Sequence, residues 1–534
     1  MKKLLSIKFF ALLLTLFIIH SMNAQTNVEI NGGDKLYGDQ ANSLVYIVGN
    51  VVIKHDGITI MCDSAVRNTQ KGVIEGFGHV YIFQPDTFTL TGGDYLKYDE
   101  ATKNAFVTGK QVVLSDKNMT LTTTSLNYNV KDQFGYYTNT ANIINGSNNL
   151  TSQRGYYYRR GNYFNFKKNV VLTSPEYTMN SDTLVYFANT KTAFFNGPTK
   201  IVSGENTITC NYGWYNTASQ KAQFSKGATI YSGTNTISAD SLLYDKKTEI
   251  GRAYGNLKLY DSTENIEVYG QKGLYKQKTK ETTITQFPVA IQRSEDDTLY
   301  VMADTFYFVN DSLNRKLLAY PRTEISQLEF QGKCDSLVYR FNDSTISLYH
   351  NPILWNDKNQ ITGDTMHILM KNKKISLMRV IGNAFLASQI NTENYNQIAG
   401  KLMTNTFDDN KLKSVLVENN AESIYYLRNN ETDSAEYTGV NKVKCEKMKI
   451  QLDSNKVQGI KFYGAPEGKM YPIKDFPQTE KLLSGLNWQI ENKPILSTFI
   501  ERTKRKEIVM IKKEATPSNK TKIKTKPKPK KTKK

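Results

Sequence analysis

The side chains able to do chemistry in this chain are few in kind and widely spread. Of the five histidines, His20 lies in an apolar leader, and His55, His79, His350 and His367 show none of the close spacings that gather ligands on a zinc ion. Carboxylates behave differently. Asp63, Asp94, Asp182, Asp240, Asp304, Asp335 and Asp364 come back at intervals of about 30 residues or small multiples of it. A general acid–base pair is needed once in an enzyme. A carboxylate repeated in every unit fits a corner better, with its oxygens accepting turn N–H groups. Glu295, Asp296 and Asp297 form one tight acidic run, which suits either a calcium ion or a solvated loop. The glycines of "GFG" (76–78) are followed by no helical segment, so they read as turn glycines and not as a phosphate loop. The expectation is a protein that is no enzyme, with no catalytic residue, no metal and no cofactor.

Cys62, Cys210, Cys334 and Cys445 lie 148, 124 and 111 residues apart. Three of them stand at or beside the recurrent acid, as small side chains filling one repeated place. If each unit adds a layer of about 4.8 Å, successive cysteines sit on the order of 20 Å apart, against the roughly 7 Å that a disulfide allows. No disulfides are expected.

Recurring residues need a recurring element to hold them. "CDSAV" (62–66), "GGDYLKY" (92–98), "TTTSLNY" (122–128), "NSDTLVY" (180–186), "SADSLLY" (238–244), "MADTFYF" (302–308), "GKCDSLVY" (332–339) and "TGDTMHI" (362–368) are variants of one piece. Weaker copies are "RGYYYRR" (154–160), "CNYGWY" (210–215) and "IAGKLMT" (398–404), with a degenerate one near "VYGQKGLY". A second piece, "GNVVI" (49–53), returns as "GHVYI" (78–82) and "KNVVL" (168–172). Polar turns such as "DEATKN" (99–104) separate the pieces. Alternation puts Val51 with Ile53, Leu96 with Tyr98, Leu184 with Tyr186 and Leu242 with Tyr244 on one side. No single unit can bury that side, so neighbours must stack. The predicted fold is all-β: an elongated, solenoid-like stack of short-strand rungs, about twelve units of about 30 residues.

The ends differ from the body. Residues 1–24 have the charged start and short apolar core of a secretory signal peptide, with cleavage expected after Ala24. From Lys504 to Lys534 there are fourteen Lys or Arg against Glu507 and Glu514, a net of +12. With the leader's Lys2, Lys3 and Lys8 removed as well, about +4 of the total +19 remains for residues 25–503. That near-neutral body and the expected export argue against nucleic acid as a partner. The tail is read as a disordered segment that is either simply solvated or drawn to an anionic surface.

The pattern "GNVVI…GITIMCDSAVRN…GVIEGFGHVYI" resembles the OstA-like family, which includes the periplasmic lipopolysaccharide-transport protein A and the N-terminal domain of the outer-membrane lipopolysaccharide-assembly protein D. The resemblance implies a β-jellyroll, or β-taco, of V-shaped rungs whose apolar groove carries lipid A acyl chains. It implies end-to-end β-stacking with inner- and outer-membrane transport proteins, and a periplasmic location with possible outer-membrane association. Carried over by position, the groove residues are Val51, Ile53, Ile60, Ala65, Val80, Ile82, Leu90, Leu96, Tyr98, Val170, Leu172, Leu184 and Tyr186. The resemblance is strongest over 25–200, weaker over 201–464, and leaves 465–503 as a closing segment ahead of the tail at 504–534. The chain is much longer than the simple bridge proteins, and the tail is foreign to the pattern. Two other readings stand beside transport: a structural or adhesive β-solenoid with a filled interior, and a polysaccharide-acting β-helix enzyme.

Overall fold

The computed structural model describes residues 27–504, apart from 118, 296, 329, 373, 410, 429–436 and 454–455. The leader, Asp296 and the tail beyond residue 504 lie outside the described residues. Strand makes up 70% of the structure and helix 4%, so the all-β expectation holds. One antiparallel sheet of 38 strands accounts for all of it.

Local sequence explains the turns. Asp56 and Gly57 both take positive φ (51° and 80°) between Leu44–His55 and Ile58–Asn68, the conformation that a tight hairpin demands. At the opposite ends the turns open with an Asp or Asn whose side chain accepts backbone N–H groups. Asp99 takes those of Ala101 and Thr102, Asn129 that of Asp132, and Asn216 those of Ala218 and Ser219. The Asn- and Asp-rich loops of the sequence are therefore working turn chemistry.

Each long strand is bent. Leu44–His55 pairs with Ile58–Asn68 from Leu44↔Asn68 to Val48↔Ser64, then slips register and resumes at Val51↔Cys62. The slip falls at Gly49 and Asn50, with φ of 78° and 46°. The same break recurs at Gly78–His79, Lys168–Asn169, Gly255–Asn256 and Gly382–Asn383. Two left-handed residues in succession redirect a strand sharply. The sheet is thereby folded along one crease into a first arm (44–48, 64–68, 73–77 and their successors) and a second arm (51–55, 58–62, 80–84 and theirs).

The recurrent acid sits on that crease, as expected, but its partner is more often a side chain than a turn N–H. Asp34 accepts from Asn50 Nδ2 (3.2 Å), Asp240 from Asn256 Nδ2 (2.7 Å), Asp364 from Asn383 Nδ2 (3.1 Å) and Asp304 from Arg322 Nε (3.0 Å), while Asp63 pairs with His79 Nδ1 (2.8 Å). At Asp94 the donor is the backbone N–H of Lys110. Where the acid is missing, the corner position falls at Asn211 and not at Tyr212, and at Gln271 in the degenerate unit, which accepts the N–H of Asn256.

Two corrections follow for the rungs. The strands of the first half are mostly 10–12 residues long and cross the crease, so one unit supplies two bent strands and not one rung of short pieces. Short strands do appear between Glu281 and Thr362, where Pro288, Pro321 and Pro352 stand at the corners and each arm is laddered separately. With two strands per unit, the separation of successive cysteines doubles from the expected value.

After Glu467–Pro472 the chain turns back and runs along the outer face of the second arm. Phe476 packs with Ile424, Tyr426 and Val440, and Leu483 packs in the same cluster beside Phe385. Backbone groups of Lys481 and Leu483 bond to the Gln397 side chain, and those of Asn487 and Gln489 to Gln360. Helix α1 (Leu496–Thr503) then buries Phe499 against Val289, Ile291 and Met302. This strap crosses on the order of ten strand spacings, or about 50 Å. Among the described residues no helix is long and apolar enough to cross a membrane.

Candidate functional site

The two arms face each other, and their inward residues form one core cluster from Ile47 to Ile450. At the crease the inward side chain is small in unit after unit: Cys62, Gly93, Thr123, Ser152, Ser181, Cys210, Ala239 and Cys334. The arms converge there and leave no room. A Cβ on Gly93 would stand 2.5 Å from Val107 Cγ1, and one on Gly363 would stand 2.3 Å from Val380 Cγ1. All four cysteines are free and buried. Burial pushes the thiols of Cys62 and Cys210 up to about 11 and that of Cys334 to about 12.

The thirteen positions named from sequence divide between the arms. Val51, Ile53, Ile60, Val80, Ile82, Leu90, Val170 and Leu172 belong to the second, and Ala65, Leu96, Tyr98, Leu184 and Tyr186 to the first. Eleven are buried to 2% exposure or less, while Leu172 and Tyr186 are half-buried. All point into the fold, and between Val51 and Tyr98 the interior is closed to solvent.

Among the described residues the mouth opposite the crease is spanned by side-chain contacts. His55 Nδ1 lies 3.0 Å from Tyr98 Oη, and Lys103 bridges to His55 Nε2 (3.1 Å) and Asp56 (3.5 Å). Farther along, Tyr157 donates to Asp116 (2.9 Å), Lys246 pairs with Glu176 (2.8 Å), and Arg315 pairs with both Asp261 and Glu264. Each contact joins a turn or strand end of one arm to the other arm across strands that are not neighbours in the sheet. Sequence reasoning placed His55 among scattered structural residues and found none of the other latches, because they pair different units and leave no periodic trace.

Solvent reaches the interior in a stretch that the sequence did not single out. On the second arm a cross-strand row runs Ile201↔Ile208↔Ile230↔Ile237↔Leu259↔Val268. Its ends are buried, but Ile208, Ile230, Ile237 and Leu259 are half-buried and pack on the core. On the first arm the matching row alternates large and small: Tyr186↔Ala193↔Tyr215↔Ala222↔Tyr244↔Gly251↔Tyr275. The alternation would have been the sequence signal, had the register been known.

The remaining candidates are structural. Gly78 takes φ +72° at a corner, where a Cβ would meet the Asp63 carboxylate at 2.2 Å, and Val73–Gln84 around it is a strand. Asp297 accepts from Thr298 N–H within its loop (2.7 Å). His79 and His350 stand at corners beside Asp63 and Asp335, and His367 contacts Ser347 Oγ at 2.9 Å. No group of three or more His, Cys, Asp or Glu among the described residues could hold a metal ion.

Residues 25–182 and 178–240 match the model of the family described as OstA-like protein. Among solved structures, LptH from Pseudomonas aeruginosa, described as the LptA-homologous periplasmic component of the conserved lipopolysaccharide transport device, is 13% identical. That match covers 20% of this chain and 81% of that one, with a TM-score of 0.19. No curated protein sequence matches the chain.

Proposed function

We propose, from the match of residues 25–240 to the OstA-like family, that this chain is a periplasmic carrier that takes acyl chains of lipopolysaccharide between its two arms and helps move lipopolysaccharide to the outer membrane. The observation that carries this reading is the continuous, mainly apolar core of a sheet folded on itself, with side-chain contacts across its mouth. An acyl chain needs length and an apolar lining, and each methylene it buries contributes about 0.8 kcal/mol. The chain acts as carrier and not as catalyst.

End-to-end stacking with inner- and outer-membrane transport proteins fits the two ends. Glu29–Gly32 and Lys35–Asp39 each pair only with Leu44–His55, and Lys456–Tyr463 and Glu467–Pro472 only with Tyr437–Asp453, among the described residues. Leu36 and Met470, on the inward face of those outermost strands, are 60% and 67% exposed. An open strand edge beside exposed apolar side chains suits strand addition by another sheet.

Photo-crosslinking in cells that make lipopolysaccharide tests the carrier reading. A photoreactive residue replaces Ile53, Leu96, Leu184 or Ile237 in turn, with outward Lys54 and Lys97 as controls. Adducts at inward positions alone are expected. One observation favours a filled structural solenoid instead: the solvent-closed stretch between Val51 and Tyr98. A folded, exported protein giving no inward adduct would establish that second reading.

A further inference from the structure

The half-buried stretch between Leu172 and Leu259 differs from the rest of the interior in three ways. Its second-arm side is a continuous row of aliphatic residues that solvent touches: Ile208, Ile230, Ile237 and Leu259. Its first-arm side alternates small and large, with Ala193, Ala222 and Gly251 set between tyrosines; the two alanines are buried among the rings and Gly251 is half-buried. Its mouth is latched by Lys246 and Glu176, whose side chains are 45% and 63% exposed; the Arg315 and Asp261 pair that follows is 25% and 12% exposed. An ion pair that open to water holds weakly.

Charge selects the occupant. The first-arm lip above this stretch carries Lys191, Lys246, Lys247, Lys278 and Lys280, all exposed. Apolar residues below and a row of ammonium groups at the rim match a lipid with an anionic headgroup and a hydrocarbon tail.

We propose that this stretch is the site where an acyl chain of an anionic glycolipid enters and lies, passing sideways through the mouth at Lys246–Glu176, with its phosphate groups held at the lysine lip. The inference rests on the carrier reading above and adds where loading happens. From Ile201 to Val268 the aliphatic row spans five strand spacings, on the order of 24 Å, of which the half-buried part from Ile208 to Leu259 is three, about 14 Å. The stretch from Val51 to Tyr98, whose inward side chains are buried, is entered only after this slot.

The test uses the mature chain, purified lipopolysaccharide micelles, and a photoreactive residue at Ile237 or at Ile53. Adduct at Ile237 is expected to form at least tenfold faster than at Ile53. Replacing a small residue of the first-arm side with a large one, Ala222→Trp, or Gly251→Leu should the first variant fold poorly, is expected to lower the Ile237 yield at least tenfold with the far-UV spectrum unchanged. Gly251 has room for the change, since the nearest atom to an added Cβ is 3.6 Å away. Equal rates at the two positions, together with no effect of a folded variant, would overturn the slot and leave the carrier reading standing. No adduct at either position would overturn both.

Discussion

Gly93 is the sharpest place to test the crease. It carries ordinary backbone angles, so a substitution there is opposed by space and not by φ. The methyl of Gly93→Ala would stand 2.5 Å from Val107 Cγ1 and 3.0 Å from Val80 Cβ, and both valines are at most 1% exposed. Overpacking of that kind costs about 1–3 kcal/mol, partly offset by about 0.4–1 kcal/mol from the stiffer unfolded chain. A net loss of about 1–2 kcal/mol is expected. Val107→Ala alone removes two buried carbons and leaves a cavity, for about 2–3 kcal/mol. In the double variant the new methyl occupies part of the space that Val107 vacates. Its loss should therefore be about 1–2 kcal/mol smaller than the sum of the single losses. Urea unfolding followed by far-UV circular dichroism gives the cycle, and hydrogen exchange of Phe88–Asp99 and Asn104–Ser115 reports whether the change is local, since long stacks need not unfold as one unit. Additive single effects within about 0.5 kcal/mol, or a stabilising Gly93→Ala, would show that the arms do not converge at Gly93.

Three further outcomes are expected. Thiols pushed up to about 11–12 are almost wholly protonated at pH 8, so Cys62, Cys210 and Cys334 should react with a disulfide reagent at least a hundredfold slower in the native protein than in urea; equal rates would contradict their burial. Burial raises the Glu267 carboxyl, but hydrogen bonds from Lys258, Arg293 and Tyr269 outweigh that and hold it at about 2 against an ordinary 4.5. Because the folded value is the lower one, the stabilisation, about 3 kcal/mol at most, is present above pH 4.5 and fades as pH falls towards 2. Glu267→Gln should flatten the pH dependence of the urea midpoint in that window, and an unchanged slope would refute the pairing. Phe499→Ala removes the anchor of α1 at a site with no exposure, so protection of Val289–Arg293 and Thr298–Met302 against exchange should fall by the equivalent of about 3–5 kcal/mol locally; unchanged protection would mean that the strap does not hold these strands.

What repeats was readable from the residues. The acids at about 30-residue spacing, the cysteines beside them and the alternation of Leu96 with Tyr98 are set by contacts inside a unit or between adjacent strands, so each leaves a periodic mark. The inward placement of the thirteen named residues follows from the same alternation. The bend was not readable as a bend, because pairs as unlike as Gly49–Asn50 and Lys168–Asn169 take the same left-handed corner. The mouth and the strap left no period at all. Tyr157 meets Asp116 from 41 residues away and Lys246 meets Glu176 from 70, and Gln360 is joined to residues 127 and 129 positions later. Trp355, without exposure beneath the strap, looked like any aromatic in a strand.

A stack held by contacts between successive rungs bends and twists like a spring. The strap changes that for one half. By fastening the outer face from Tyr426 to Val289 at points separated by many layers, it works as a tendon: the second half can neither lengthen nor unwind without tearing Phe476 or Phe499 from its seat. The half before Ile266 has no such brace among the described residues. The molecule is thus a rod of two compliances, stiff toward its C-terminal end and yielding toward its N-terminal end. The slot between Leu172 and Leu259 lies in the yielding part, just short of where the brace begins.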